Sequence, residues 1–282
     1  MNLVSLKTAI QQLESVNSTD EFAYENAIHA FMKIDQLPIF LFRVPTEFHI
    51  YRTRTHDSSE LFTKISDIST PPNQYVKCFA RCNRPFQSKF YSAETQPTSF
   101  MELVENWAET TQFGEKLYVT TGLWITKQSL NALIVTTPDI ENRVCEFDKL
   151  HGNAFLSNFL NKYEGETKEA MVQFYRYLFE KFRKPAKNDP LPYIITSAYC
   201  NIALSKIKEK ANCVLYPSVP FSGNGVNFAI NADFIKNENI ELRAVKCNEF
   251  TISENEHKKH SFTETNEWNA KQILNDQNEI IW

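Results

Sequence analysis

The chain has 282 residues, of which 42% are hydrophobic, 13% aromatic and 23% charged, and its formal net charge is −4. This apolar and aromatic composition excludes an intrinsically disordered protein, and the ordinary charge fraction argues against a coiled coil. Because the chain carries no net positive charge, it lacks the usual electrostatic basis for direct nucleic-acid binding.

The first 45 residues are predicted to form an N-terminal helical extension. Apolar residues recur with helical spacing over residues 3–16. Ser, Thr and Asp at positions 18–20 supply capping oxygens for a second helix, which ends before Pro38. We expect these helices to complete the core of the protein, with self-association as the alternative.

Strands and helices interleave unevenly in the rest of the chain. Strands are predicted at residues 39–42, 48–52, 89–93, 116–124, 130–136, 213–216, 226–230 and 240–245. Helices are predicted at residues 99–111, 148–162, 166–182 and 192–208. Residues 53–90 are expected to be mostly loop, and residues 253–282 a polar C-terminal tail without assigned structure. This order indicates an α+β fold rather than a doubly wound parallel sheet.

Several classes of site and location are not supported by the sequence. No apolar run reaches the roughly 18 residues that a membrane span requires, and no signal peptide is recognised, so we expect a cytoplasmic protein without membrane contact. The six cysteines lack zinc-finger spacing and are predicted to be reduced, buried thiols. There is no Gly-rich phosphate loop, dinucleotide fingerprint or Gly-x-Ser-x-Gly motif, and no metal site is expected.

Four short segments combine polar and aromatic residues in a recognisable order. They are Tyr51-Arg52-Thr53-Arg54, then Pro71-Pro72 leading into Ala80-Arg81-Cys82-Asn83-Arg84-Pro85, then Phe90-Tyr91-Ser92-Ala93 followed by Glu102, and finally Val214-Leu215-Tyr216-Pro217-Ser218-Val219 followed by Asn227-Phe228-Ala229-Ile230. Together they resemble the RES-domain family, which is named for an Arg, a Glu and a Ser. The chain departs from that family where Ala80 replaces the usual Gly and where Arg84 separates Asn83 from Pro85.

The resemblance implies a fold and an activity for residues 46–252. The fold would be like that of ADP-ribosyltransferases, a core of small packed β-sheets surrounded by helices around a cleft for NAD. The activity would be that of the toxin in a toxin–antitoxin pair, which degrades NAD at the nicotinamide–ribose bond by hydrolysis or phosphorolysis. NAD is then a substrate rather than a cofactor, and the expected protein partner is an antitoxin.

Three residues take catalytic roles by this resemblance. Glu102 would stabilise the positive charge that develops on the ribose, as a carboxylate does in glycoside hydrolysis; alternatively, Ser99 and Glu102 form a helix capping box. Arg52 would bind the diphosphate or a ribose. Ser218 would contact the ribose or orient Glu102, with a plain turn serine as the alternative, and no His or Lys at motif spacing marks it as a nucleophile.

Five further residues are candidates for contacts with NAD. Arg54 could take the place of Arg52, and the alternative for both is a pair of solvent-facing arginines on an edge strand. Arg81 is a second phosphate candidate, or else a loop arginine bonded to local carbonyls. Tyr91, and with less weight Tyr51, would stack on nicotinamide or ribose, or be half-buried strand tyrosines. Asn227 could contact NAD, although holding the turn at residues 222–225 is the favoured role.

Two other functions remain open at the level of the sequence. The same cleft could transfer ADP-ribose to a macromolecule instead of to water or phosphate. The departures at Ala80 and Arg84 also allow a catalytically degenerate module that only binds a nucleotide or a protein partner.

Overall fold

The computed structural model describes residues 1–56, 58–108, 112–143, 146–186, 188–206, 211–219, 225–254 and 260–282. Its helices are α1 (Leu3–Glu14), α2 (Ala23–Met32), α3 (Ile65–Ile68), α4 (Gln96–Ala108), α5 (Glu146–Asn158), α6 (Gly165–Arg183), α7 (Leu191–Lys206) and α8 (Ala232–Lys236). The longer helices lie within a few residues of the predicted positions, whereas the short helices α3 and α8 were not predicted.

The strands form one large mixed sheet and one small sheet. They are β1 (Leu41–Val44), β2 (His49–His56), β3 (Lys89–Ala93), β4 (Lys116–Thr126), β5 (Leu130–Ile134), β6 (Cys213–Pro217), β7 (Val226–Asn231), β8 (Ile240–Glu254), β9 (His260–Asn269), β10 (Gln272–Leu274) and β11 (Glu279–Ile281). The large sheet has the order β1-β5-β6-β7-β3-β2-β4-β8-β9, and β10 pairs with β11. Strands β5 and β6 run parallel, and the other paired neighbours run antiparallel. The predicted α+β class is therefore confirmed.

The large sheet has a seam between its two halves. β2 pairs with β4 along its whole length, and β3 pairs with β7 along its whole length. β2 and β3 meet only at the pair Tyr51 and Ala93. The family resemblance implied small packed sheets, whereas the strands form one large hydrogen-bonded sheet whose halves diverge at this seam. Divergence leaves backbone groups of both strands free to face a cleft.

The two N-terminal helices belong to the main hydrophobic core. Leu6 and Leu13 of α1 and Phe31 of α2 are fully buried. The ring of Phe31 lies 6.5 Å from that of Phe174 on α6 and 6.0 Å from that of Tyr199 on α7. The expectation that this extension completes the core is confirmed, because residues 1–45 bury their apolar faces against the middle of the chain.

The segment after Ser253, expected to be a tail without assigned structure, is largely built into the sheets. β9 pairs antiparallel with β8, and Ile280 of β11 is buried in the main core. The indole of Trp282 donates a 2.9 Å hydrogen bond to the carbonyl of Phe62. The prediction of a tail without structure is wrong because β9 lies at the edge of an antiparallel sheet. A strand at such an edge can carry mostly polar residues, so its sequence does not show the usual apolar pattern.

The described cysteines are free thiols. Cys82, Cys200, Cys213 and Cys247 are buried as expected, whereas Cys78 is exposed, and Cys145 lies outside the described residues. None of the described helices combines the length and the apolar character needed to cross a bilayer.

Candidate active site

A cleft of about 610 Å³ opens at the seam between β2 and β3. Its walls come from both strands, from the loop before β3, from α4, from the start of α7 and from the paired strands β6 and β7. The described residues that line it are Arg52, Thr53, Arg54, Thr55, Pro71, Phe79, Ala80, Arg81, Tyr91, Ser92, Ala93, Ser99, Glu102, Leu103, Tyr193, Tyr216 and Asn227. The four segments that carry the family resemblance therefore meet around one cleft.

Glu102 is brought to the cleft by helix α4, which is fixed at its start and along one side. The hydroxyl of Thr95 accepts a 3.3 Å hydrogen bond from the backbone N–H of Thr98, in the manner of an N-terminal cap. One turn later, the hydroxyl of Ser99 donates a 2.8 Å bond to the hydroxyl of Thr53 on β2. These contacts set the helix against the sheet and leave Glu102 one turn further along, at the cleft.

The carboxylate of Glu102 accepts hydrogen bonds from two residues that lie far away in the sequence. The hydroxyl of Ser218, just after β6, donates to Oε1 at 2.6 Å, and the amide of Asn227 on β7 donates to the same oxygen at 2.7 Å. Both donors are almost fully buried. Within the described part of the chain Oε2 has no hydrogen-bond partner, so one oxygen is held while the other remains available to a ligand.

The capping-box alternative for Glu102 is wrong. The helix begins at Gln96, three residues before Ser99, so Glu102 lies beyond the positions where a side chain can reach back to the cap. Ser99 and Glu102 bond instead to Thr53 and to the Ser218–Asn227 pair. The plain turn-serine interpretation of Ser218 also fails, because its hydroxyl is bonded to the candidate carboxylate.

A glycine allows α4 to approach the strands that carry Ser218 and Asn227. The backbone N–H of Ser218 donates a 2.8 Å bond to the carbonyl of Gly225. A Cβ atom at Gly225 would lie 2.3 Å from Oγ1 and 2.4 Å from Cγ2 of Thr98, which is closer than van der Waals contact permits. The absence of a side chain at Gly225 therefore lets the first turn of α4 pack against this segment.

Arg52 lies at the seam and ties its two sides together. Its Nε donates to the carbonyls of Ile68 and Ser69, both at 3.2 Å, and its Nη1 donates to the carbonyl of Tyr91 at 2.6 Å. Burial, with the like charge of Arg54, lowers the pKa of Arg52 to about 10, so the guanidinium is still charged at neutral pH. Among the described residues Nη2 has no partner, and it is available to an anion.

Arg54 is more exposed than Arg52, and its guanidinium is held less firmly. Its Nη1 donates to the carbonyl of Asp67, and its guanidinium carbon lies 5.4 Å from the centre of the Phe62 ring. β2 lies between β3 and β4 in the sheet. The alternative of two solvent-facing arginines on an edge strand is therefore wrong in two respects. β2 is not an edge strand, and Arg52 is bonded to backbone carbonyls at the seam.

Arg81 forms the opposite wall of the cleft together with a tyrosine of α7. Its Nε donates a 2.9 Å bond to the carbonyl of Phe182, and its Nη1 donates a 2.6 Å bond to the hydroxyl of Tyr193. Burial alone would lower the pKa of Arg81, but Tyr193, Tyr216 and Glu102 raise it above its ordinary value. Its partners come from distant helices, so the alternative of a loop arginine bonded to local carbonyls is wrong.

Tyr91 lines the cleft and also anchors the loop that carries Arg81. Its hydroxyl donates to the side-chain oxygen of Asn83 at 2.7 Å and accepts from the backbone N–H of Cys82 at 3.0 Å. Burial raises the pKa of Tyr91 well above its ordinary value, so the phenol stays neutral. Its hydroxyl is committed to the loop, which leaves the ring as the part that can contact a ligand.

Two other sequence-based expectations have different outcomes. Tyr51 is not among the described residues that line the cleft, although it forms the single pair with Ala93, which does line it. Asn227 does line the cleft, but its amide bonds to Glu102. The turn that Asn227 was expected to hold includes residues 222–224, which lie outside the described residues.

The two departures from the family pattern lie in different places. Ala80 lines the cleft, where a methyl group replaces the hydrogen of the usual Gly. Arg84 does not line this cleft; it lines a second one, and its guanidinium carbon lies 5.6 Å from the centre of the Tyr24 ring. The extra residue is therefore accommodated away from Glu102.

Several polar residues of the cleft were not predicted from the sequence, and Tyr193 and Ser92 are two of them. Tyr193 follows a proline at the start of α7 and orients Arg81 through its hydroxyl. The hydroxyl of Ser92 is buried in the wall without a hydrogen-bond partner in the structure. A tyrosine at the start of a helix and a serine in a strand carry no pattern of their own, although Ser92 lies inside one of the four quoted segments.

The cleft combines one carboxylate, three guanidinium groups and several aromatic rings. Within the described residues, no three His, Cys, Asp or Glu side chains lie together in a way that could hold a metal ion. Arginines are suited to phosphate groups because their planar donors match pairs of phosphate oxygens. The arrangement can therefore hold a phosphate-bearing ligand with a polar group against Glu102.

Comparison with known proteins adds no family assignment. No protein-family model matches the chain, and no curated protein matches it in sequence. The geometry of the cleft and the resemblance of the four segments that line it are therefore the observations that bear on function.

Proposed function

We propose that the protein cleaves NAD at the bond between nicotinamide and ribose, as the RES-domain family that it resembles does. One observation carries this proposal: Glu102 is bonded to Ser218 and Asn227 in the same cleft that contains Arg52 and Arg81. If Glu102 had pointed away from this cleft, its carboxylate could not have acted on a ligand held by the arginines, and the proposed reaction would have had no structural support.

The reaction requires stabilisation of a positive sugar. The glycosidic C–N bond breaks, its electron pair leaves with nicotinamide as a neutral molecule, and positive charge develops on the ribose. A nearby carboxylate stabilises such an oxocarbenium-like state. Ser218 and Asn227 hold one oxygen of Glu102, and the oxygen without a described partner is the one that would face the ribose. One preorganised group of this kind contributes roughly 3–4 kcal/mol to a transition state.

The arginines suit the rest of the dinucleotide. NAD carries two phosphate groups, and Arg52, Arg54 and Arg81 line the cleft that would receive them. The backbone and Tyr193 contacts of Arg52 and Arg81 fix their guanidinium groups before a ligand arrives, which reduces the entropy lost on binding. The rings of Tyr91 and Phe79 provide a surface for nicotinamide or ribose.

The acceptor of the ribose is a small molecule in this proposal. Attack by water yields ADP-ribose, and attack by inorganic phosphate yields the corresponding 1-phosphate, with nicotinamide released in both cases. An enzyme that consumes NAD inside a cell needs restraint, and the family resemblance supports a cytoplasmic toxin held inactive by a separate antitoxin protein.

The proposal is tested by incubating purified protein with NAD, with and without phosphate, and following free nicotinamide. The wild type should release nicotinamide, and Glu102→Gln should slow release by about 10²- to 10³-fold, the usual effect of removing one preorganised charged group. Glu94→Gln is the matched control, because Glu94 is exposed and does not line the cleft.

Other outcomes assign other functions. If the wild type and Glu102→Gln both released nicotinamide only at the background rate, the proposed NAD-cleaving activity would be wrong. Transfer of label from NAD to added protein, with little free ADP-ribose, would instead indicate an ADP-ribosyltransferase. Tight binding of NAD without turnover would indicate a degenerate nucleotide-binding module.

A further inference from the structure

A second cleft lies on the same face of the sheet as the candidate active site. Its volume is about 650 Å³, and Lys89 and Asn231 form its floor at the far end of the β3–β7 pair. Side chains two residues apart on a strand share a face, so Lys89, Tyr91 and Ala93 follow one another along it. Lys89 therefore marks the second cleft, and Ala93 lies in the wall of the first.

The loop that carries Arg81 separates the two clefts. Asn83 and the backbone N–H of Cys82 bond to the hydroxyl of Tyr91, which lies between the two sites on β3. Arg81 faces the candidate active site, whereas Arg84 lines the second cleft. Two arginines of one short loop, three positions apart, thus contribute a cation to each side.

Lys89 is the residue that makes the second cleft unusual. Lys89 is only 5% exposed, and its Nζ donates a hydrogen bond to the side-chain oxygen of Asn231. Within the described residues it forms no ion pair. Burial lowers the pKa of Lys89, as expected for an ammonium group whose hydrogen-bond partner is neutral. An ammonium group has three donors, and an unpaired buried charge is unfavourable, so a bound counter-ion would stabilise this amine.

The charges around Lys89 indicate what that counter-ion is. Arg84 and Lys236 also line the cleft, and among the described residues of its wall the one carboxylate is that of Asp233, which lies 3.6 Å from Nζ of Lys236. In this described wall, three cations against one carboxylate leave two positive charges. A phosphate monoester carries about −1.5 to −2 charges at pH 7, which matches this excess.

The remaining wall is polar and supplies hydrogen-bonding groups. Gln87 and Asn201 bond to each other, at 2.5 Å and 3.1 Å, and so present a fixed pair of amides. The volume of the cleft exceeds what a bare phosphate ion needs and would accept a small sugar attached to it. We propose that this cleft binds a phosphate group, with Lys89 as its buried ligand and Arg84 and Lys236 at its mouth.

Calorimetric titration of the full chain with two probes tests this site. Inorganic phosphate and ribose 5-phosphate are titrated separately, and tighter binding of the ester would identify an organic phosphate as the ligand. Lys89→Met should weaken binding of the better probe by about 10- to 100-fold, the range for loss of a charged hydrogen bond. Asp233→Asn should leave binding intact or strengthen it, because it removes the opposing charge.

Arg54→Ala is the matched control, since it removes a guanidinium from the first cleft only. Binding should survive in this variant and in Glu102→Gln, so the result does not depend on whether NAD is cleaved. If Lys89→Met does not fold, the double variant Arg84→Ala/Lys236→Ala replaces it and should weaken binding by at least about tenfold. Absence of binding to either probe, equal affinity in the lysine variant, or loss of binding in Arg54→Ala would overturn the proposal.

Discussion

The hydroxyl of Ser218 donates a 2.6 Å hydrogen bond to Oε1 of Glu102, across 116 residues of sequence. Asn227 donates to the same oxygen at 2.7 Å. Two buried donors on one carboxylate oxygen orient the group and leave the second oxygen for a ligand. Ser218 is therefore a positioning residue for Glu102 in the proposed reaction, rather than a nucleophile.

The first prediction follows from that role. Ser218→Ala should lower kcat for NAD cleavage by about tenfold, the value of one hydrogen bond to a charged group, with KM little changed. The same substitution made in Glu102→Gln should have almost no further effect, because Ser218 acts through that carboxylate. Steady-state kinetics of the two single variants and the double variant give the coupling directly.

The opposite pattern would identify a nucleophile. If Ser218→Ala abolished turnover as completely as Glu102→Gln, and a covalent adduct with Ser218 appeared in mass spectra of the wild type, the positioning role would be wrong. Thr98→Ser is a suitable control for general damage to the first turn of α4, because it keeps the hydroxyl that bonds to Thr95.

The second prediction separates the two arginines of β2. Arg52→Lys should raise KM for NAD and also lower the midpoint of thermal unfolding. A lysine cannot satisfy the carbonyls of Ile68, Ser69 and Tyr91 together, and unsatisfied buried groups lower the free energy of unfolding by about 1–3 kcal/mol each.

Arg54→Lys is the comparison for this experiment, because Arg54 is exposed and donates to a single carbonyl, that of Asp67. It should change the unfolding midpoint little and affect KM less than Arg52→Lys does. A larger rise of KM in the Arg54 variant than in the Arg52 variant would assign the diphosphate contact to Arg54. Thermal melts and NAD kinetics on the same preparations distinguish these results.

The third prediction concerns the close approach of Gly225 to α4. Gly225→Ala should lower the free energy of unfolding by about 1–3 kcal/mol, the usual effect of overpacking, and should reduce kcat because α4 carries Glu102. Thr98→Ala removes the two atoms nearest the added methyl group. The double variant should therefore recover part of the lost stability and activity.

Rescue by Thr98→Ala is the informative measurement here, because any destabilising change can lower activity. Urea unfolding of the wild type, both single variants and the double variant gives the coupling free energy. Additive losses in the double variant would show that Gly225 and Thr98 do not meet in solution.

Local elements were largely predictable from the sequence. The strand predicted at residues 89–93 is confirmed residue for residue as β3, and the helices predicted at 3–16 and 166–182 are confirmed within one or two residues at each end. The two helices bury one face and keep a regular apolar period, which a single sequence displays, whereas β3 is buried along almost its whole length. β9 has no such period, since a polar edge strand gains its stability from pairing with β8.

The convergence at the cleft could not be predicted from periodicity. The contact of Glu102 with Ser218 depends on which strands are neighbours and on how closely α4 packs against Gly225. Only the resemblance of the four segments indicated that these residues belong together. Tyr193 was missed because its role exists only through Arg81, which lies 112 residues away in the sequence.

The fourth prediction is a pH dependence of stability that arises from His151 on α5. This residue is 5% exposed, its ring lies 4.8 Å from that of Phe42 and 4.5 Å from that of Phe147, and Nδ1 has no hydrogen-bond partner in the structure. Burial lowers the pKa of His151 from 6.5 to about 4. The folded protein therefore keeps this ring neutral at pH values where the unfolded chain binds a proton.

Between pH 6.5 and about 4 the unfolded state binds more protons at this position, so the free energy of unfolding should fall as the pH is lowered through that window. His151→Gln cannot titrate and should show a shallower decline, measured as the urea midpoint at pH 7, 6, 5 and 4. His49→Gln, at an exposed position of β2, should keep the dependence of the wild type. If the wild type and both variants declined in parallel, carboxylates rather than a buried neutral imidazole would set the acid sensitivity of the fold.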